Sequence, residues 1–213
     1  MDADEVLKAT ARESVKQGEN LRAAVRELTL GALRSRELTL GEIKRVVRSV
    51  TEGVSAGAAG SKLDPGDVLS DALAGMDEAV LKAVQANHLA LQSLAAQGQT
   101  LRDSQMKKAL DELERLEDEF LATVKDATKK GSKQLKEQWA AVLQRTETQG
   151  TRTADQIEAT MEEFGQRMHE AVKQQRRTAL RAAEVMAENF TTLASGILIG
   201  MTEGLQRGKK KSD

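Results

Sequence analysis

The sequence predicts an all-α protein: long amphipathic helices with an eleven-residue repeat, folded back into an antiparallel bundle or coiled coil, preceded by a short-helix N-terminal section. Three observations carry this. One Pro in 213 residues leaves the strongest helix breaker almost absent, while Ala, Leu, Glu, Lys, Arg and Gln supply good helix formers. Hydrophobic residues make up 39% of the chain and aromatics 2%, which is little bulk for a thick globular core. Apolar residues also recur every eleven positions from Leu69 to Leu205.

The recurrence forms three tracks that begin at Leu69, Leu73 and Met76. They are hydrophobic at 11 of 13, 10 of 13 and 7 of 12 positions, well above the chain average of 39%. All four aromatic residues, Phe120, Trp139, Phe164 and Phe190, fall inside them. Three residues per eleven corresponds to ~3.67 per turn, the repeat of a straight or slightly right-handed helix stripe. The expected helix interface is therefore Leu113, Phe120, Val124, Leu135, Trp139, Val142, Ile157, Met161, Phe164, Met168, Met186, Phe190, Ile197, Met201 and Leu205.

Residues 1–62 read as two or three short helices. Arg26-Glu-Leu-Thr-Leu-Gly-Ala-Leu-Arg34 is nearly repeated as Arg36-Glu-Leu-Thr-Leu-Gly-Glu-Ile-Lys44, which suggests two similar helix starts. In the second copy Thr39 can cap, Glu42 can complete a capping box and Leu38 can staple onto Ile43. Ile43, Val46, Val47, Val50 and Val54 then share a face, and Gly53, Gly57 and Gly60 thin the helix before a loop.

Asp64 before Pro65, with Asp67 in the first turn, starts the long section, residues 63–206. The eleven-residue phase survives Gly98, Lys129 to Ser132 and Gln149 to Thr151, so helix is expected to run through these points or to stack in common register. A continuous helix from Pro65 to Leu205 would be about 210 Å long at ~1.5 Å per residue. Folding back at Gly98, Gly131 or Gly150, or self-association, is expected instead. Gly196, Gly200 and Gly204 form a smooth ridge suited to close helix packing. The tail at 207–213 reads as disordered and basic.

Charge and residue types exclude much chemistry. With 32 Lys and Arg against 33 Asp and Glu, no global field draws the chain to nucleic acid, and specific nucleic-acid binding is not expected. The clusters Lys129/Lys130/Lys133/Lys136, Arg176/Arg177/Arg181 and Lys209/Lys210/Lys211 lack aromatic interleaving and read as solvated faces. The absence of Cys suits a reducing cytoplasm, and the acidic opening Met1-Asp2-Ala3-Asp4-Glu5 is unlike a signal peptide; a cytoplasmic location is expected. The uncharged stretch from Asn189 to Thr202, at 14 residues, falls short of the ~20 needed to span a bilayer, so no transmembrane span is expected.

No catalytic, cofactor or metal site is expected. A di-iron bundle needs Glu three residues before each His, and Gln85 and Gln166 precede His88 and His169. Gly57-Ala-Ala-Gly60-Ser-Lys62 has the wrong order for a phosphate loop. Glu117/Asp118/Glu119 and Glu162/Glu163 read as solvated helix faces interleaved with Arg115, Lys125 and Arg167.

The eleven-residue stripe is similar to that of exchangeable apolipoproteins. Met161-Glu-Glu-Phe-Gly-Gln-Arg-Met168 and Ala182-Ala-Glu-Val-Met-Ala-Glu-Asn-Phe190, within a Cys-free bacterial-type composition, resemble phasins, the coat proteins of polyhydroxyalkanoate granules. That likeness is compositional, covers about Leu101 to Leu205 and implies a lipid or granule surface as partner. The stripe and glycine ridge read by themselves imply a non-catalytic scaffold that forms homo-oligomers. An uncharacterised bacterial helical family fits the residues as well.

Overall fold

Capping residues set where the helices begin. The computed structural model describes residues 2–36, 39–96 and 104–178, and their side chains apart from 17, 19, 94–96, 104–106 and 166–178. Eight α-helices follow in chain order among these: α1 (Ala3–Ser14), α2 (Leu21–Arg34), α3 (Leu40–Ala59), α4 (Pro65–Ala96), α5 (Ser104–Glu114), α6 (Leu116–Ala127), α7 (Lys133–Gln149) and α8 (Arg152–Thr178). Tighter 3-10 segments occupy Val15–Asn20 and Thr128–Lys130, and no strand occurs among the described residues. The protein is all-α. Thr39 accepts the Glu42 N–H at 3.3 Å, Asp64 accepts the Asp67 N–H at 3.1 Å and Ser132 accepts the Leu135 N–H at 3.3 Å, each satisfying a donor that the first turn leaves open.

Two compact units result. The first contains Met1–Ala83 and Arg115–Asp155, and the second contains Val84–Glu114 with the described residues from Gln156 onward. The expected section boundary at residues 62 and 63 thus falls inside the first unit. The cause is packing: Thr51 on α3 meets Met76 on α4, and the buried Trp139 indole on α7 donates to Ser55 on α3 at 2.9 Å.

In the first unit α1 and α3 run parallel, since Asp4 meets Arg45, Lys8 meets Glu52, and Val15 approaches Gly57 in ascending order. The core is aliphatic at α1 to α4, with Val25, Val46, Val50, Val54, Leu69 and Met76 fully enclosed, and gains Phe120 and Trp139 from α6 and α7. Helix α4 is buried over an arc wider than one stripe, because Val68, Ala72 and Ala79 are covered as well as Leu69, Leu73, Met76 and Val80.

Helix is interrupted at Gly131 and at Gly150, two of the three glycines named as points where the chain could fold back, so it does not run on through Lys129 to Ser132 or through Gln149 to Thr151. Gly150 takes φ +77° and ψ 166°, a conformation almost restricted to glycine, and ends α7 before α8 begins. Gly98 lies outside the described residues. The first copy of the repeat is not a helix start but the interior of α2, where Leu21 and Val25 extend the apolar face to Leu30 and Leu33 and Thr29 is fully buried. Helices α4 and α8 run parallel where they meet. Gly66 lies beside Gln138 and Asp77 beside Thr153 in the first unit, and His88 pairs with Thr160 and Gln92 with Glu163 in the second, so these contacts ascend together. Within the first unit the start of α8, at Arg152 and Thr153, lies beside Asp77 of α4.

Candidate functional site

The predicted interface residues that the structure describes are buried or half-buried within the chain's own units. Phe120, Val124, Leu135, Trp139 and Val142 are buried in the first unit, and Leu113, Ile157 and Phe164 in the second. Met161 is half-buried. Met168 lies on α8 where side chains are not described, and Met186, Phe190, Ile197, Met201, Leu205 and the glycines Gly196, Gly200 and Gly204 lie outside the described residues. Only Val6, Leu63 and Leu89 are large hydrophobics left exposed among the described residues.

A close-packing glycine pair does occur, but on α3. A Cβ on Gly53 would overlap the Lys8 carbonyl oxygen and lie 2.7 Å from Ala11 Cβ; one on Gly57 would lie 2.6 Å from Val15 Cγ2 and 2.7 Å from the Arg12 carbonyl oxygen. Their spacing of four puts both on one face, where missing side chains bring two backbones together. Gly53 and Gly57, read from sequence as thinning the helix, instead form its tightest contact.

Charged residues hold the rim of that contact. Asp4, Arg36, Glu42 and Arg45 close a ring: Asp4 bonds Arg36, Arg36 reaches Glu42 at 3.2 Å, Glu42 meets Arg45 at 3.0 Å, and Arg45 returns to Asp4 at 2.9 Å. The Arg36 guanidinium, hydrogen-bonded to Asp4, holds its carboxyl below the usual range, with Arg45 adding to the effect and burial opposing it. The Glu42 carboxylate, expected to complete a capping box, is taken up by these arginines. Nearby, the Glu52 carboxylate raises the Lys8 ammonium pKa at 2.8 Å, and Lys44, bonded at 2.6 Å, lowers that of Glu119.

Asp77 and Glu78, on α4, organise a second polar centre that sequence reasoning missed. Asp77 is 8% exposed and accepts the Arg152 and Thr153 N–H groups at 3.1 and 3.2 Å, while Thr153 Oγ1 donates to the Asp77 carbonyl at 3.2 Å. A carboxylate in the middle of one helix therefore caps the start of another, where backbone N–H groups favour negative charge. Thr151 completes the cap by accepting the Ala154 N–H at 2.9 Å, and its hydroxyl donates to Glu117 at 3.1 Å. Glu78 gathers three guanidinium groups: it bonds Arg22, and Arg26 and Arg152 lie at 3.5 and 3.3 Å. The available signal was two acids set among Met76, Ala79 and Val80, where the tracks demand burial. Glu117 and Glu119, read as solvated, also bridge elements.

His88 lies in the second unit. The Thr160 hydroxyl donates to the Gln156 carbonyl at 2.7 Å, which leaves its oxygen free to accept from His88 Nδ1, 3.0 Å away. His88 Nε2 lies 2.9 Å from the Gln92 amide nitrogen and 3.3 Å from Glu163 Oε2. Phe164 stands edge-on to the ring, with centroids 5.8 Å apart. Hydroxyl, imidazole and carboxylate thus align as in a nucleophile relay, yet Thr160 is fully buried and its proton is committed to the backbone. The arrangement joins α4 to α8 and presents no attacking oxygen. Among the described residues no group of three His, Asp or Glu is placed to hold a metal, and no helix is long and apolar enough to cross a membrane. His169 and Arg167 lie outside the described side chains.

The chain belongs to a family of unknown function, DUF6781, whose match covers residues 1–207. Neither a characterised protein nor a solved structure matches it.

Proposed function

We propose that the protein is a non-catalytic helical scaffold that self-associates. The observation that carries this reading is the division of its apolar residues. Among the described residues between Leu69 and Phe164, most apolar positions of the stripe are buried and few large hydrophobics are exposed, which makes a preformed support. The run from Asn189 to Thr202, which carries no charge and places Phe190, Ile197 and Met201 beside Gly196 and Gly200 in sequence, is the segment this reading assigns to contact with another copy. In this reading the eleven-residue register lets successive helices share one seam, and an antiparallel or coiled-coil arrangement of the remaining stripe forms between copies.

A surface-coating role on lipid or polyhydroxyalkanoate granules is the second reading. It is favoured by the same uncharged run, flanked by Glu188 and Glu203 and followed by Lys209, Lys210 and Lys211. Light-scattering mass of the full chain, with and without phospholipid vesicles or purified granules, separates the two. A discrete oligomer that ignores vesicles and granules, and becomes monomeric on Gly196→Leu with Gly200→Leu, is expected. A monomer that co-floats with vesicles or granules would replace the first reading with the second.

A further inference from the structure

We propose that the groove between the end of α6 and α7 binds one anionic amphiphile, an acyl chain with a single carboxylate head. The groove has a volume of about 440 Å³, within the ~300–1,000 Å³ of small-molecule sites. Its apolar lining is Leu143, Ala140 and Thr128. The Thr128 hydroxyl donates to the Lys125 carbonyl at 2.8 Å, so its polar atom is already satisfied. What is offered to a ligand there is largely carbon.

Three lysines also line the groove, Lys125 from α6, Lys129 from the turn and Lys136 from the first turn of α7, together with Gln144 and Glu147 further along α7. Lys129 is paired with Asp126 at 2.7 Å. Lys125 and Lys136 have no carboxylate within ion-pair distance among the described residues, so two cations are available. Along α7 the lining runs from Lys136 through Ala140 and Leu143 to Glu147, which is ~16 Å at ~1.5 Å per residue. A cation near the helix start and an acid near its end give the groove a direction: the head belongs with the lysines and the chain along Ala140 and Leu143.

The occupant's class follows from what the groove lacks. No arginine or aromatic ring lines it to stack a base, which disfavours a nucleotide. A bare phosphate would leave the carbon lining unused. A membrane face would need bulky apolar side chains beside the lysines, and the exposed large hydrophobics among the described residues are Val6 on α1, Leu89 on α4 and Leu63 in the loop between α3 and α4. A single free amphiphile uses both the cations and the lining.

Calorimetric titration of the full chain with monomeric decanoate tests this, with decylamine and inorganic phosphate as controls. Saturable one-to-one binding of decanoate is expected, with both controls at least tenfold weaker. Lys125→Glu with Lys136→Glu, and separately Ala140→Trp, should each weaken decanoate at least tenfold. All three positions are exposed, so helical circular dichroism should be unchanged. The proposal is overturned if decanoate does not saturate, if either control binds as well, or if neither variant weakens it. It is also overturned if only anionic phospholipid vesicles respond to the lysine reversal, which would make the groove a membrane contact. None of these outcomes depends on oligomeric state, so the scaffold reading stands or falls separately.

Discussion

Helices α1 and α3 run parallel, and so do α4 and α8, but opposite kinds of residue specify the two pairs. Between α1 and α3 the determinant is absence: Gly53 and Gly57 lack the atoms that would collide with the Lys8 and Arg12 carbonyls. Between α4 and α8 the determinants are polar groups that find each other, with Asp77 capping Arg152 and Thr153 in one unit and His88 meeting Thr160 in the other. A backbone contact leaves no room to adjust, whereas a hydrogen-bonded junction can lose one partner and keep the rest. The two pairs should therefore differ in how steeply they respond to substitution.

The largest effect is expected at Gly53. Gly53→Leu must push α1 away from α3, because the obstacle is a carbonyl oxygen and not a side chain that can rotate; overpacking of this kind costs about 3 kcal/mol. Gly31, also inside a helix, has nothing within 4 Å of where a Cβ would stand, and Gly31→Ala should stabilise by about 0.5–1 kcal/mol through helix propensity alone. Urea midpoints read both. If Gly53→Ala stabilised as Gly31→Ala does, the α1–α3 contact would not be as close as described.

Asp77 comes next. Asp77→Ala leaves two N–H groups at the start of α8 without their acceptor, a loss of about 2 kcal/mol. Amide hydrogen exchange should accelerate at Arg152 and Thr153 before it does in α3. Equal acceleration in both helices would mean that the cap is not local to α8. Thr160→Val, which keeps the shape but removes the acceptor for His88 Nδ1, should cost about 1 kcal/mol by the same urea measurement. An unchanged midpoint would show that water replaces Thr160 at no loss.

The contrast also marks what the sequence makes legible. Caps at Thr39 and Asp64 depend on residues within three positions, and each stands where local chemistry puts it; the cap at Ser132 is equally local but sequence reasoning missed it. Phe120, Trp139 and Phe164, placed at the helix interface from their spacing in the sequence, are buried. Gly53 and Gly57 could not be told from helix-thinning glycines, because their role depends on Lys8 and Arg12, more than forty residues earlier. Asp77 was hidden for the same reason: its partners are 75 and 76 residues away. The breaks at Gly131 and Gly150 preserve the spacing of the stripe, so periodicity alone reads through them although the backbone turns there. Local rules reveal starts and faces, but which face meets which is fixed by pairs that no local window contains.

The smallest effect belongs to the charged rim of α1 and α3, where solvent weakens each pair and a single contact is worth less than about 1 kcal/mol. Its signature is a pH dependence. Asp4 sits below its ordinary value of 3.8 chiefly through the Arg36 hydrogen bond. A carboxylate lowered on folding contributes fully above its ordinary pKa, and that contribution disappears as pH falls below about 3.8 toward the folded value. Lys8 is raised above 10.5 by Glu52, so its contribution is complete below that pH and is lost as pH climbs past it. Asp4→Asn should flatten the acid limb of a stability-pH curve and leave the alkaline limb unchanged; Lys8→Met should do the reverse. Both should keep the neutral plateau within about 1 kcal/mol of the parent, since Gly53 and Gly57 remain to hold the two backbones together. A collapse of the plateau in Asp4→Asn would shift the weight of the α1–α3 contact from its glycines to its ions, and would make the two parallel pairs alike after all.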